Sequence, residues 1–142
     1  MQISRWSSFT YIWFYSAEER NFVFVTDSDK PDPKRIKCVG GREKSGVDLF
    51  PEDTAIREIK EEIGLEIAFH RVKELIKRNR GKYSDNFFTL EISKNEADKM
   101  TKGNDIEEIH IIKEWDIQKY RNNFLTQHFH NLSLVTSSKV LI

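Results

Sequence analysis

Cysteine is nearly absent from this sequence, and long apolar runs are missing altogether. With Cys38 as its one cysteine, the chain can form no internal disulfide bond and no multi-cysteine zinc site. No apolar run approaches the roughly 18 residues that a membrane-spanning helix requires. The first residues lack the sustained apolar stretch and cleavage site of a secretory signal. We therefore expect a cytoplasmic protein with no membrane partner.

Net charge is missing as well, because 23 basic residues balance 23 acidic ones. This balance gives no overall field toward nucleic acid or an acidic membrane, although a local basic patch is compatible with it. The sequence is instead rich in aromatic surface, with ten Phe, four Tyr and three Trp among 142 residues. That surface suffices for a hydrophobic core, and the length suits one compact domain over residues 1–142.

Strand and helix patterns alternate along the chain. Aromatic and β-branched runs at 10–15 and 21–26 flank the polar segment SAEER and predict an antiparallel hairpin. A helix over 51–63 begins with a proline and ends before Gly64, as helix ends favour. The remaining predicted elements are strands at 72–78, 87–92 and 106–113, a short helix or structured loop at 96–102, an amphipathic helix at 116–130, and a last strand or tail at 133–142. The turn-rich segment RGKYSDN joins the strands at 72–78 and 87–92. Together these elements predict a mixed sheet sandwiched by helices.

Three glutamates fall within five positions of the predicted helix 51–63, in the stretch REIKEEIGL. Glu58, Glu61 and Glu62 occupy positions i, i+3 and i+4, so their side chains converge on one patch. Such like charges repel, by about 0.3 kcal/mol per exposed pair. One interpretation is a solvated helix face. The other is a site for a divalent cation, because Mg²⁺ and Mn²⁺ prefer carboxylate oxygens.

Features around the glutamates favour the metal site over the solvated face. Isoleucines on the opposite side of the helix predict packing against the core, which would fix the carboxylates in place. Arg57 lies one turn before Glu61 and can pair with it or its neighbours and orient them. Upstream, Gly40 and Gly41 allow the backbone to approach a ligand closely, as phosphate sites often require.

Residues 41–65 resemble the Nudix box, Gly-x5-Glu-x7-Arg-Glu-U-x-Glu-Glu-x-Gly-U, where U is a bulky aliphatic residue. The stretch 57–65 matches at every specified position. The first half departs from the pattern, because fifteen residues separate Gly41 from Arg57 where the pattern has thirteen. This implies a two-residue insertion around 47–50 and leaves the first glutamate without a clear counterpart. Asp48 is the only carboxylate at that point, and Phe50 offers no side-chain cap to the helix.

The resemblance implies a fold and an activity. The fold is a Nudix-type α/β/α sandwich with a mixed central sheet. The activity is hydrolysis of a pyrophosphate bond in a nucleoside diphosphate linked to another group, with Mg²⁺ or Mn²⁺ as cofactor. Nucleoside triphosphates, ADP-ribose or nucleotide sugars, dinucleoside polyphosphates and capped RNA all stay open as substrates. A homodimer also stays open. The rival interpretation is a Nudix-fold module that binds a nucleotide or a protein without hydrolysis.

The resemblance also assigns roles to residues of the box. It implies a metal site made of Gly41, through its carbonyl, and Glu58, Glu61 and Glu62. It implies that Glu58 and Glu61 take part in catalysis and that Arg57 orients them. We expect substrate contacts from Gly40, Gly41 and Arg42.

A carboxylate outside the box often completes such a site, as a metal ligand or a general base. Glu107 and Glu108 are our candidates, because they open the strand predicted at 106–113. We assign catalysis to Glu107 and metal binding to Glu108; Glu91 is a second choice. The alternative is that one of the pair simply faces solvent on an alternating strand.

Other chemically active residues carry structural interpretations. We interpret Cys38 as a small buried hydrophobe. His110, His128 and His130 lack partners for a metal site in the sequence, and we expect structural or surface roles for them. The basic stretches 30–37 and 76–82 could steer a phosphorylated substrate, but solvated loops are the better explanation for them. Four aromatic residues could stack on a base, although we expect core packing for each: Trp13, Tyr15, Phe87 and Phe88.

Overall fold

A computed structural model describes residues 5–136 of the chain, and a six-stranded sheet forms its centre. The strands are β1 (Trp6–Ser16), β2 (Glu19–Asp27), β3 (Val39–Arg42), β4 (Lys73–Arg80), β5 (Tyr83–Glu91) and β6 (Ile106–Lys113). The α-helices are α1 (Pro51–Ile63), α2 (Lys94–Asp98) and α3 (Thr126–His130). Short 3-10 helices cover Phe69–Arg71, Glu114–Asn123 and Asn131–Leu134.

The central strand, β1, organises the sheet. It pairs with β5 in parallel along one edge, and the sheet order is β4-β5-β1-β2-β6. Two strands share its other edge, since residues 7–10 pair with β3 and residues 12–16 pair with β2, both antiparallel. This parallel pair makes the sheet mixed, which confirms the predicted sheet type.

Each face of the sheet carries its own hydrophobic core, as expected for a sheet between helices. The first core includes apolar residues of α1 and α2: Ala55, Ile59, Ile63 and Ala97. The second core includes residues of the C-terminal segment: Ile117, Phe124, Phe129 and Leu132. This arrangement confirms the predicted α/β/α architecture. No helix within residues 5–136 is both long and apolar enough to cross a membrane.

Most predicted elements are present, and α1 and β6 have the predicted bounds. The predicted hairpin is formed by β1 and β2, and the short helix is α2. The connection between β4 and β5 is shorter than the seven-residue turn we predicted, because only residues 81–82 lie outside the strands. β3 has no counterpart among the predicted strands, and its sequence VGGR contains two glycines, which disfavour strands.

The prediction of one helix over 116–130 is wrong. The structure has a 3-10 helix over Glu114–Asn123, an extended Phe124, and then α3. Phe124 is buried in the second core, and it forms a parallel bridge with Ile36. Ile36 N donates to the Asn123 carbonyl and Leu125 N donates to the Ile36 carbonyl. This pairing requires extended backbone, so it interrupts the helix. Of the predicted last strand or tail, residues 137–142 lie outside the described residues.

Candidate active site

The helix α1 is held at both ends by groups that its sequence supplies. Pro51 occupies the first turn, and Asp53 Oδ2 accepts hydrogen bonds from the backbone N–H groups of Phe50 (2.9 Å) and Leu49 (3.1 Å). Phe50 itself provides no side-chain cap, as predicted. Gly64 ends the helix in the left-handed conformation, with φ 74°, and donates to the Lys60 carbonyl. The glutamates are thus displayed on a well-terminated helix.

Glu62 is buried where α1 packs against β3. Its Oε1 accepts a hydrogen bond of 3.1 Å from the N–H of Gly40. Burial, together with the neighbouring Glu58, raises the pKa of Glu62 to about 9 against the opposing effect of Lys37. The charged form of Glu62 is therefore unfavourable unless positive charge is added next to it.

Glu58 lies one helical turn before Glu62 and packs against the backbone of Gly41. A Cβ atom at Gly41 would be 2.8 Å from Glu58 Oε2, which is closer than real Cβ contacts allow. The glycine pair therefore has two separate uses here. Gly40 donates its N–H to Glu62, and Gly41 leaves room for Glu58.

Arg57 connects the glutamates to the preceding loop. Its Nη1 donates to Glu58 Oε1 (2.8 Å) and to Glu61 Oε2 (3.0 Å), and its Nη2 donates to the Arg42 carbonyl (2.9 Å). On its other side, Nε and Nη2 donate to Asp48. The guanidinium group therefore fixes two of the three glutamates with respect to the loop.

Asp48 is the buried anchor of this network, with a side chain only 2% exposed. Its Oδ2 also accepts hydrogen bonds of 2.8 Å from Lys44 N and from Thr54 Oγ1. Burial alone would raise the pKa of Asp48, but the hydrogen bonds from Arg57, Lys44 and Thr54 outweigh it and hold the pKa below its usual range. The sequence has no clear counterpart of the first glutamate in the box pattern. Asp48 is the carboxylate that pairs with Arg57 instead.

A cavity of about 860 Å³ opens beside the glutamates. It is lined by Glu58 and Glu62 and also by Gly40, Gly41 and Arg42. The predicted substrate-binding residues therefore lie beside two of the predicted metal-binding glutamates. A smaller cavity of about 390 Å³ adjoins the three glutamates. It is also lined by Asn104, Asp105 and Ile106.

The oxygen donors at this point suit a hard divalent cation. Glu58 and Glu62 lie side by side against the backbone of β3, while Glu61 is half exposed and is held by Arg57. Within residues 5–136, no three His, Cys, Asp or Glu side chains are already arranged as a finished metal site. The residues nevertheless fit Mg²⁺ or Mn²⁺, because carboxylate oxygens are the ligands these ions prefer and a cation would relieve the unfavourable charge on Glu62.

The structure does not bring Glu107 and Glu108 to this site. Glu107 is paired with Lys34 at 3.6 Å, and Glu108 lies 3.6 Å from His110 Nε2. Both side chains are more than half exposed on β6, and neither lines either cavity. Glu91, the second choice, is exposed at the end of β5 and does not line them either.

Asp105 is the carboxylate that the sequence reasoning missed. It lines both cavities, next to the glutamates of α1. The loop that carries it is fixed to the end of the helix, since Thr101 N donates to the Ile63 carbonyl (3.0 Å) and Gly103 N donates to the Glu62 carbonyl (3.1 Å). A Cβ at Gly103 would lie 2.0 Å from the Glu61 carbonyl oxygen, so this close approach requires glycine. In the sequence, Gly103 was the signal that could have indicated the close approach of this loop to α1.

The far side of the larger cavity is aromatic. Phe9, Phe87 and His128 line it, and Lys37 lies between them and the glutamates. Cys38 is fully buried beside them, as predicted, and burial raises the pKa of its thiol. His128 is also buried, which confirms a structural environment, but it additionally faces the cavity.

Comparisons with known proteins agree with this geometry. The NUDIX domain family model matches residues 7–131. A search of curated proteins finds no significant match. Among solved structures, a MutT/nudix family protein from Enterococcus faecalis aligns with a TM-score of 0.65 at 18% identity, over 80% of this chain. This chain spans only 45% of that protein.

Two further structures match over nearly the whole chain. The NUDIX domain of Shewanella oneidensis NrtR, solved with ADP ribose, aligns with a TM-score of 0.75 at 13% identity, covering 95% of this chain and 88% of that one. A C. elegans Ap4A hydrolase complex aligns with a TM-score of 0.69 at 14% identity, covering 94% and 95%. Such low identities establish the fold alone. The match to the family model over residues 7–131 goes further, and on that match the chain belongs to the Nudix family.

Proposed function

We propose that this protein hydrolyses a pyrophosphate bond in a nucleoside diphosphate linked to another group, with Mg²⁺ or Mn²⁺ as cofactor. One observation carries the proposal: Glu58 and Glu62 lie together against the backbone of Gly40 and Gly41, at the edge of a cavity of about 860 Å³. Membership of the Nudix family supports the reaction class. The similar structures, one with ADP ribose and one an Ap4A hydrolase, support a nucleotide-type substrate.

The metal site that we propose consists of Glu58, Glu61, Glu62 and the Gly41 carbonyl. When bound there, the cation would supply the positive charge that neutralises pyrophosphate oxygens and activates water. Arg57 positions Glu58 and Glu61 through its two hydrogen bonds and is itself fixed by Asp48.

The remaining residues of the cavity bind and orient the substrate in this proposal. Arg42, next to the glycines, places positive charge where the phosphates would lie, and Lys37 does so deeper in the cavity. Asp105 replaces Glu107 and Glu108 as the carboxylate from outside the box. It lines both cavities and is suited to accept a proton from the attacking water.

A substrate panel tests the proposal. Purified protein is incubated with nucleoside triphosphates, ADP-ribose, a nucleotide sugar, dinucleoside tetraphosphate and capped RNA, with Mg²⁺ or Mn²⁺, and phosphate-containing products are quantified. Glu61→Gln should reduce turnover by about 100-fold or more, because a neutral amide is a poor ligand for these ions.

The matched control is Glu66→Gln, which lies just beyond α1 and pairs with the exposed Lys60. It should leave turnover unchanged. Tight binding without turnover across the panel would point instead to a binding module. Equal losses in both variants would show that the helix glutamates have no special role.

A further inference from the structure

The strand β6 forms one end of the sheet and is paired on its inner side only. Its neighbour is β2, and within residues 5–136 no strand pairs with its outer edge. An unpaired strand edge presents backbone N–H and C=O groups with which another chain can form a ladder. Whether a particular chain fits depends on the groups that this edge presents.

The hydrogen bonds of β2 identify the outward-facing backbone groups of β6. Val25 exchanges two hydrogen bonds of 2.9 Å with Lys37, on the side of β2 that faces away from β6. Ile109 is paired opposite Val25, so its own N–H and C=O groups point outward, because directly opposite residues in an antiparallel pair share one orientation. The orientation alternates along the strand. Ile111 therefore also points its backbone groups outward, and His110 points them toward β2.

The free edge is short and has a defined start and end. At its start, the carbonyl of Glu107 accepts a hydrogen bond of 3.0 Å from Lys102 Nζ. At its end, Lys113 leads into the 3-10 helix that begins at Glu114. The edge that remains open for a ladder is therefore centred on His110.

The opposite end of the sheet, β4, is protected against such pairing in ways that β6 is not. Five of the eight residues of β4 are charged, in the sequence KELIKRNR, and its pairing with β5 is irregular between Glu74 and Ile76. Charged side chains and bulges are the usual protection of sheet edges. The middle of β6 reads IHII instead. Ile111 is 52% exposed, and Trp115, just past the strand, is 67% exposed, as at an interaction surface.

The sequence of β6 is complementary to a second copy of itself. In an antiparallel pairing centred on His110, Ile109 lies opposite Ile111 of the second copy. In the same register, Glu107 lies opposite Lys113 of the second copy. Outward-pointing residues then meet outward-pointing residues, and the apolar pair is flanked on the same face by opposite charges. A shift by two residues in one direction places Lys113 opposite Ile109. The shift in the other direction places Glu107 opposite Ile111, so both shifts lose the charge match.

We propose that the protein forms a two-fold symmetric dimer through β6, in which the edges around His110 pair antiparallel and continue the sheet across both copies. Ile109 and Ile111 of opposite copies exchange two backbone hydrogen bonds, and the symmetry repeats this pair. Because the ladder is short, the dimer is weak, with a dissociation constant on the order of 10–100 µM. It does not depend on the proposed function, since neither isoleucine is among the described residues that line the two cavities.

Charge reversal tests the register of this dimer. Glu107→Lys should weaken dimerisation about tenfold, because a lysine then lies opposite Lys113 of the other copy at both ends of the ladder. Lys113→Glu should weaken it by a similar factor. The double variant Glu107→Lys/Lys113→Glu should restore the wild-type dissociation constant, because both pairs again have opposite charges. Residues six positions apart on one strand are separated by about 20 Å, so no contact within one copy explains such a rescue.

Sedimentation velocity of the full chain over about 5 to 500 µM measures the dissociation constant of each variant. Lys73→Glu, a charge reversal on the exposed start of β4, is the matched control and should leave the dissociation constant unchanged. Three results would overturn the proposal: wild-type protein that stays monomeric throughout, a dimer that neither single reversal weakens, or a double variant that associates no more tightly than the single variants.

Amide hydrogen exchange of wild-type protein gives a second test, which requires no variant. The N–H groups of Ile109 and Ile111 should exchange several-fold more slowly in concentrated protein than after dilution. Those of His110 and Ile112, which point toward β2, should exchange slowly at both concentrations and are the internal control. Fast exchange at Ile109 and Ile111 in concentrated protein contradicts the dimer. Slow exchange at both in the diluted monomer would show that the chain covers its own edge, which also contradicts the proposal.

Discussion

The two ends of the cavity are built in different ways. The carboxylate end comes from neighbouring parts of the chain, since Gly40, Glu58 and Glu62 lie within 23 positions of one another. Arg57 joins two of its carboxylates, Glu58 and Glu61, by ionic hydrogen bonds. The aromatic end brings together Phe9, Phe87 and His128 from distant parts of the chain, and neutral groups hold it.

On the proposed function, this difference would separate reaction chemistry from recognition. Helical spacing alone is enough to bring the glutamates together, so a short stretch of sequence determines the carboxylate end. The aromatic end exists only after β1, β5 and α3 have packed against one another. We therefore expect substitutions at the carboxylate end to act mainly on turnover, and substitutions at the aromatic end to act mainly on which ligand binds.

The largest effect is expected for a substitution at Asp105. This substitution tests whether the carboxylate end includes a residue from outside the box. Asp105→Asn should lower turnover by about 100-fold with little change in ligand binding, because it removes the proposed proton acceptor. Glu107→Gln and Glu108→Gln are the controls and should be nearly silent, since both side chains face away from the cavities. Steady-state kinetics measures the turnover of these variants. A larger loss of turnover in either control would instead place the proton acceptor on β6.

A smaller effect on turnover is expected at Asp48, which supports the carboxylate end through its hydrogen bonds with Arg57. Asp48→Ala leaves Arg57 without its buried partner and should lower turnover by about 10- to 100-fold, as losses of orienting groups do. It should also lower the free energy of unfolding by about 3 kcal/mol, because a buried pair is broken. Asp98→Ala, which breaks an exposed pair with Lys94, is the control and should cost less than about 1 kcal/mol. Urea unfolding measures the free energy of unfolding of both variants. Equal losses would show that Asp48 contributes no more to stability than an exposed pair does.

The smallest effect is a difference in pH dependence between the two ends. The pKa of Glu62 is raised to about 9, so the folded state binds more protons than the unfolded chain between about pH 4.5 and 9. The free energy of unfolding should therefore fall as the pH rises through that range in the absence of divalent cations. His128 has the opposite sign: its pKa is lowered to about 3, so the unfolded chain binds the extra proton and stability should fall as the pH drops below about 6.5.

Thermal unfolding in a chelating buffer from pH 5 to 9 distinguishes these contributions. Glu62→Gln should flatten the loss of Tm toward high pH by a few degrees and leave the acid side unchanged. Addition of Mg²⁺ at pH 8 should raise the Tm of wild-type protein more than that of the variant. Parallel pH profiles for the two proteins would show that Glu62 is not the group responsible.

The sequence predicted the elements whose signals are local. α1 has a proline, an apolar stripe and a terminal glycine, and β6 has four isoleucines among its eight residues; both have the predicted bounds. β3 and the extended Phe124 depend on pairing with β1 and with Ile36, which no local pattern reveals. Asp105 and His128 were not predicted as cavity residues for the same reason. The cavity that both line is created by tertiary packing.

The bridge between Ile36 and Phe124 has a consequence for how ligand preference could change during evolution. It fastens the chain just before α3 to Ile36, and hydrogen bonds from Tyr11 and Cys38 to His128 fasten α3 itself. The glutamates depend on other supports, namely β3, Asp48 and the loop at Gly103. On the proposed function, we therefore expect replacements in the C-terminal segment to change ligand preference while the carboxylates keep their places.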